Sequence, residues 1–269
     1  MTFKEAFALW DKTEALWILE KATNLTPTQL RLTNEDTPLS QEAAGLFMRM
    51  IEQRKKQIPL QYVLGSWNFM GCSIKCRPGV LIPRRDTEVL AEEVINFMKR
   101  GKETVLDLCT GSGCIAIAIA PFCAHVTASD ISAEALSLAQ ENAEFNGVSD
   151  RMSFVQSDLF ENIEGHYNCI TANPPYIPSV EIESLPEDVR KEPRLALDGG
   201  PDGLDFCRAI ISKCGDYLLP GGGIFLEIGH NQGKAVSNML HEHGFRAVVV
   251  IKDFEDRDRV VRGTKAASQ

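Results

Sequence analysis

The sequence predicts an α/β fold: a seven-stranded, mostly parallel sheet preceded by a small helical bundle, the two joined by a β-hairpin. Three observations predict it. Apolar residues recur at helical spacing through residues 1–65. Residues 66–86 switch to alternation around a glycine. From Thr87 onward short apolar runs alternate with longer amphipathic ones, the pattern of a parallel sheet covered on both faces.

In the first segment Phe7, Leu9, Trp10, Ala15, Leu16, Ile18 and Leu19 form one helical stripe. Ala43, Ala44, Leu46, Phe47, Met50 and Ile51 form a second, which ends in the polar run Glu52-Gln53-Arg54-Lys55-Lys56. Thr26-Pro27 and Ser40-Gln41-Glu42 read as helix starts, because a hydroxyl can accept a free amide of the first turn and proline suits the first helical position. Such stripes are the core of a bundle. In residues 66–86, Trp67, Phe69, Cys72, Ile74 and Cys76 alternate around Gly71, and Pro78-Gly79 turns the chain into Val80-Leu81-Ile82-Pro83-Arg84. This is a hairpin connector. Beyond it, strands are expected near 103–109, 125–130, 152–157, 167–172, 222–229, 246–252 and 258–264, with helices at about 87–99, 113–121, 132–146 and 202–217. A short connection joins the last two strands, so one of them runs antiparallel. His241-Glu242-His243 reads as a solvated helix end rather than a ligand pair.

Composition narrows the class. Of 269 residues 44% are hydrophobic and 24% charged, which suits a soluble globular chain. No apolar stretch approaches the roughly 20 residues that span a bilayer, and Met1-Thr2-Phe3-Lys4-Glu5 lacks the pattern of a signal peptide. A cytoplasmic protein with no membrane partner is expected. The eight cysteines contain no CxxC pair and sit largely in apolar runs, so reduced, buried thiols are expected rather than zinc ligands or disulfides, and no metal site. Net charge is −9, and it is uneven: residues 1–70 carry eight basic and eight acidic side chains, so the excess lies in the rest. Such a field opposes a phosphate backbone and disfavours direct nucleic acid binding.

Two constellations carry chemistry. The first is Val105-Leu106-Asp107-Leu108-Cys109-Thr110-Gly111-Ser112-Gly113-Cys114, where a strand enters a helix. Gly111 and Gly113 let backbone approach a ligand closely. Asp130 ends the next strand, where a carboxylate can accept both ribose hydroxyls. Asp158 follows the third strand and either accepts from an adenine amine, with Leu159 packing on the ring, or caps a turn. The bare Gly-x-Gly-x-x-Ala match is shared with NAD-binding folds. Two details favour S-adenosylmethionine: Asp107 precedes the glycines, where it can serve a ligand amine, and a second motif follows the fourth strand. That motif is Asn173-Pro174-Pro175-Tyr176. Its prolines are stiff and lack N–H groups, Asn173 adds a side-chain carbonyl and Tyr176 a flat ring. A planar NH2 group lying against Tyr176 could donate to oxygens of Asn173 and Pro174.

Together these residues resemble the peptide chain release factor glutamine-N5 methyltransferases, over nearly the whole chain. The resemblance includes the helical segment, Pro59-Leu60-Gln61-Tyr62-Val63-Leu64-Gly65, Ile82-Pro83-Arg84-Arg85-Asp86-Thr87-Glu88, the glycine turn and Asn173-Pro174-Pro175-Tyr176-Ile177. It continues through Glu192-Pro193, Leu197-Asp198-Gly199-Gly200, Glu227-Ile228-Gly229 with Gln232-Gly233, and Asp256-Arg257-Asp258-Arg259-Val260-Val261. It implies a Rossmann-like class I methyltransferase sheet over 87–269, a substrate-docking helical domain over 1–65 and a hairpin connector over 66–86. It further implies methyl transfer from S-adenosylmethionine to the glutamine of the Gly-Gly-Gln loop in class I release factors. Asn173, Pro174 and Tyr176 would act on the amide, which the tetrad including Pro175 would bind. Cys109, Thr110, Gly111, Ser112, Gly113, Asp130, Leu159 and Asn173, with Asp158, would bind the cofactor. Three positions depart from the family pattern: Arg85 replaces proline, Cys109 replaces glycine, and Leu159 stands where a larger ring is common. Two rivals share parts of the pattern: an adenine-N6 methyltransferase of nucleic acid, through the tetrad, and a non-catalytic nucleotide-binding adaptor, through the glycine turn.

Overall fold

The computed structural model describes residues 1–98 and 101–267. Five helices open the chain: α1 (Phe3–Ala8), α2 (Lys12–Thr23), α3 (Pro27–Leu32), α4 (Gln41–Lys55) and α5 (Leu60–Leu64). Both expected starts are formed. Thr26 accepts from the Gln29 amide with Pro27 in the first turn, and Ser40 accepts from the Ala43 amide. The apolar stripes meet in one core around Ile18, Leu19, Leu30, Phe47 and Ile51. Arg54, buried beside that core, grips Glu14 with two nitrogens at 2.8 and 2.9 Å, which holds the carboxyl below its usual range.

Strands β1 (Ser66–Phe69) and β2 (Cys72–Lys75) form the expected hairpin. Trp67, Phe69 and Ile74 share one face of the hairpin, since Trp67 lies opposite Ile74 in register, and that face spans two cores. Trp67 faces the helices and meets Trp17 edge-on, with ring centroids 5.2 Å apart, whereas Phe69 and Ile74 enter the core of the large sheet.

That sheet contains β3 (Thr104–Leu108), β4 (His125–Asp130), β5 (Met152–Gln156), β6 (Tyr167–Ala172), β7 (Leu218–Glu227), β8 (Arg246–Lys252) and β9 (Asp258–Thr264). Their order is β5-β4-β3-β6-β7-β9-β8, and β9 runs antiparallel to both neighbours. Val105, Cys169 and Phe225 point to one face, under α6 (Glu88–Phe97), α7 (Cys114–Ile119) and α8 (Ala133–Phe145). Leu106, Ile170 and Ile224 point to the other, under α9 (Asp205–Tyr217) and α10 (Gly233–Glu242). Two asparagines of α8 tie the hairpin down: Asn142 exchanges hydrogen bonds with the backbone of Lys75, and Asn146 with that of Ser73.

All seven strands are found, with differences at their ends. β7 begins at Leu218, not 222, because Leu218 pairs with Tyr167 before a bulge and the register resumes at Cys169 and Gly223. The helix expected at 87–99 runs Glu88–Phe97, and Lys99 lies outside the described residues. The helix expected from 202 starts at Asp205, after the turn made by Gly200 and Gly203. α10 is an additional helix, and the expected helix end at His241-Glu242-His243 is its last turn and cap. Short 3-10 turns at Ser179–Ser184, Val189–Lys191 and Arg194–Ala196 fill the connection from β6 to α9. Among the described residues no helix is long and apolar enough to cross a membrane, and all eight cysteines are free thiols, six of them buried.

The chain leaves β3 toward β4 on one side, while β6 lies on the other. A crevice therefore opens at the carboxyl ends of β3 and β6, where an open α/β sheet binds its ligand.

Candidate active site

The turn from β3 into α7 forms one wall. Asp107 is fully buried; its Oδ2 accepts from the Thr110 hydroxyl at 2.6 Å, and Oδ1 has no hydrogen-bond partner. Burial pushes this carboxyl up to about 7, with the charge of Asp130 adding and the Thr110 bond opposing. Cys109 takes a left-handed conformation at φ 55°, which explains why glycine suits this position. Gly111 shares that conformation, and its amide donates to Asp130 Oδ2 at 2.9 Å. Gly113 does something other than approach a ligand: a Cβ there would press on Ala139, so its lack of one lets α7 and α8 pack. Asn142 completes the turn by donating to the Ser112 carbonyl at 2.9 Å.

Asp130, at the end of β4, accepts from the amides of Gly111 and Ser132 through different oxygens, each at 2.9 Å. Each oxygen keeps a lone pair for a hydroxyl. Beside it Ile131 is an exposed apolar residue on the cavity wall; no motif marks it, and its place directly after Asp130 is its one signal in sequence. Ser157 fixes the next loop, accepting from the Asn162 amide and donating to the Leu159 carbonyl, both at 2.9 Å. Leu159 is also left-handed, at φ 49°.

These loops enclose a cavity of about 220 Å³. Of the expected residues, Cys109, Thr110, Gly111, Ser112, Asp130, Asp158, Leu159, Asn173 and Pro175 line it; Gly113, Pro174 and Tyr176 do not. The connector from Val80 to Arg84 and Thr87 supplies a further wall. Glu192 holds that wall. It is buried, accepts the Ile82 amide at 2.9 Å and pairs with Arg84. Burial raises its carboxyl above the usual range, against the opposing charge of Arg84.

The tetrad is held from behind. Asn173 donates through Nδ2 to the Thr87 hydroxyl at 3.3 Å. The Tyr176 carbonyl accepts from Gln232 Nε2 at 3.0 Å; the same amide donates to Gly203 and takes the Gly229 N–H. Ile177 donates its N–H to the Leu197 carbonyl and accepts from the Gly199 N–H, and a Cβ on Gly203 would collide with the Tyr176 carbonyl. Thus the Leu197-to-Gly200 and Glu227-to-Gln232 motifs brace the tetrad. Burial raises the Tyr176 hydroxyl, with the charge of Glu227 adding. Glu227 itself is 1% exposed, and its Oε2 has no hydrogen-bond partner. Burial pushes it up to about 7, against hydrogen bonding from Thr87 and the charge of Arg259. Arg259 in turn pairs with Asp253 at 3.0 Å and Asp86 at 3.2 Å. Thr87, Glu192 and Glu227 stand in motifs that give them no role in sequence; only the fold shows what they touch.

A doubly wound sheet with a glycine turn, a carboxylate after the second strand and Asn-Pro-Pro-Tyr after the fourth defines a class I, S-adenosylmethionine-dependent methyltransferase. Comparison with known proteins agrees. Residues 85–185 match the family described as methyltransferase small domain, and residues 3–65 the family described as PrmC N-terminal domain. A solved methyltransferase from Pyrococcus furiosus shares the fold, with TM-score 0.57 and 21% identity, covering 80% of this chain and 99% of that one. The chain is 43% identical to the release factor glutamine methyltransferase of Moorella thermoacetica, over 91% of this chain and 88% of the relative. It is 41% identical to that of Geobacter sulfurreducens, over 93% and 88% respectively. The chain belongs to the family of release factor glutamine methyltransferases.

Proposed function

We propose that the protein transfers the methyl group of S-adenosylmethionine to the side-chain amide nitrogen, N5, of the glutamine in the Gly-Gly-Gln motif of class I release factors. In this reading it works in the cytoplasm without direct contact to nucleic acid. The observation that carries it is the meeting of Asn173 with the 109–112 turn and Asp130 on one cavity.

The residues present fit the cofactor. Asp130 retains acceptor capacity on both oxygens for the ribose, and the buried Oδ1 of Asp107 lacks a partner beside the turn that would receive the amino-acid end. Asp158 and Leu159 would hold the adenine. Bound there, S-adenosylmethionine supplies an electrophilic methyl on a sulfonium. The residues do the rest by placement. An amide nitrogen is a weak nucleophile, because its lone pair is delocalised. Oδ1 of Asn173 and the Pro174 carbonyl would accept the two N–H hydrogens and stabilise positive charge as it grows on that nitrogen. Pro174 and Tyr176 stand outside the cavity lining, which suits a role on the acceptor side. Holding the nitrogen in line supplies the orientational share of the rate. No strong base is required, since the methylated amide cation loses its proton readily.

Residues 1–65 and the connector over 66–86 would dock the release factor, and 87–269 would carry out transfer. Incubation with labelled cofactor and a release factor, followed by mass spectrometry of the Gly-Gly-Gln peptide, tests this. Label on the glutamine is expected. Label on DNA or RNA with none on the release factor would overturn it.

A further inference from the structure

Five consecutive residues between the hairpin and the sheet each reach a different element. Arg84 pairs with Glu192, and the Arg85 guanidinium lies over the Phe254 ring at 5.3 Å. Asp86 pairs with Arg259 at 3.2 Å, Thr87 accepts from Asn173 at 3.3 Å, and Glu88 accepts the Met70 amide at 3.2 Å. Thr87 sits in the middle of this run, is 1% exposed, and cannot shift without breaking its neighbours' contacts.

We propose that Thr87 is a positioning residue: its hydroxyl takes a hydrogen of Asn173 Nδ2 and so fixes which end of that side-chain amide faces the acceptor. This inference rests on the function proposed above. The two ends of an asparagine amide have nearly the same shape and opposite hydrogen-bonding roles. Turned by 180°, Asn173 would meet a substrate NH2 with its own NH2, donor against donor. Nothing within the stiff tetrad backbone prevents that turn; a neighbouring acceptor does. Thr87 is such an acceptor because its own proton is directed elsewhere, to the buried carboxylate of Glu227. Above about pH 7, where Glu227 is ionised, that carboxylate only accepts. The hydroxyl therefore donates to Glu227 and offers its lone pairs to Asn173. Arg84, Asp86, Arg259, Tyr176 and Cys114 are the other charged or titratable groups that face Glu227. The order Glu227, Thr87, Asn173 is thus a directed chain of hydrogen bonds ending at the acceptor site.

The test is Thr87→Val beside Thr87→Ser, since valine keeps the shape without the hydroxyl and serine keeps the hydroxyl without the methyl. Methyl transfer to a release factor is measured with KM for that protein and Kd for S-adenosylmethionine by calorimetry. For Thr87→Val, kcat should fall about 10- to 100-fold, with KM and Kd changed by less than about threefold. Thr87→Ser should return kcat to within about threefold of the parent. A kcat for Thr87→Val within about threefold of the parent overturns the proposal, and so does a loss of equal size in Thr87→Ser, which would assign the effect to packing. If the parent itself labels no release factor, the function above fails. The positioning is then judged from the Asn173 side-chain amide resonances in the parent and both variants. A shift in Thr87→Val that Thr87→Ser reverses supports it; unmoved resonances in Thr87→Val overturn it.

Discussion

Arg84 and Glu192, 108 residues apart, form an ion pair along the cofactor-cavity wall, with the glutamate side chain 1% exposed and the arginine 36%. The half of the pair that is out of water is also the acceptor for the buried Ile82 amide. One carboxylate thus holds both the charge and the backbone of the connector.

Glu192→Ala removes both bonds at once. Leaving the Ile82 N–H unsatisfied should cost about 1–3 kcal/mol, which lowers the melting midpoint of a chain this size by about 2–4 °C per kcal/mol. Affinity for S-adenosylmethionine should fall with it, because the connector lines the same cavity. Thermal melting and calorimetry read the two effects; an unchanged midpoint would refute the clamp.

Asp107 and Glu227 should make stability depend on pH with an unusual sign. Both are pushed up to about 7 by burial, whereas the same groups in an unfolded chain titrate near 4. Between those values the native state holds protons that the unfolded chain has released, so stability falls as pH rises from about 4 through 7 and is level above. Asp107→Asn and Glu227→Gln cannot ionise. Each should show a flatter curve than the parent over that window and gain on it above pH 7, measured by urea unfolding. Parallel curves would show that the carboxyl is not raised.

Gly203→Ala places a methyl against the Tyr176 carbonyl and the Gln232 amide, at a residue with φ 76°. The left-handed backbone alone costs about 1–2 kcal/mol for a side chain. Turnover should drop further than stability explains, because the brace behind the tetrad moves while the glycine turn does not. Cofactor affinity close to that of the parent, with reduced kcat, is the expected pattern; a loss confined to affinity would contradict it.

Asn173→Ala and Asp130→Ala should separate transfer from binding. The first should cut turnover by about 100-fold or more with modest change in cofactor affinity. The second should chiefly weaken affinity. Near-normal turnover in Asn173→Ala would show that the tetrad is not the acceptor site.

The elements that announce themselves locally were legible. Each strand is an apolar run between turns, and the glycine turn, Asp130 and the tetrad are contiguous strings. α10 was not, because it opens on Gly233, has no side-chain cap at Gln232 and buries only Val236 and Leu240 among its apolar residues. The turns from 179 to 196 have no period to detect and are punctuated by prolines. The brace around the site was illegible for a different reason: Thr87 meets Asn173 across 86 positions, and Ile82 meets Glu192 across 110. Only the folded sheet brings such residues together. Arg85, a departure from the family pattern, acquires a partner in Phe254 by the same route.

β9 lies between β7 and β8, although it is the last strand in the chain. During synthesis β8 therefore emerges with no place to pair, since among the described residues its only ladder is to residues 258–264. Until those residues insert, β7 presents a bare edge that can capture a strand from another molecule. The sheet closes like a zip whose last tooth is in the middle. Loss of residues 258–264 would split the sheet, leaving β8 without a strand partner rather than trimming a margin.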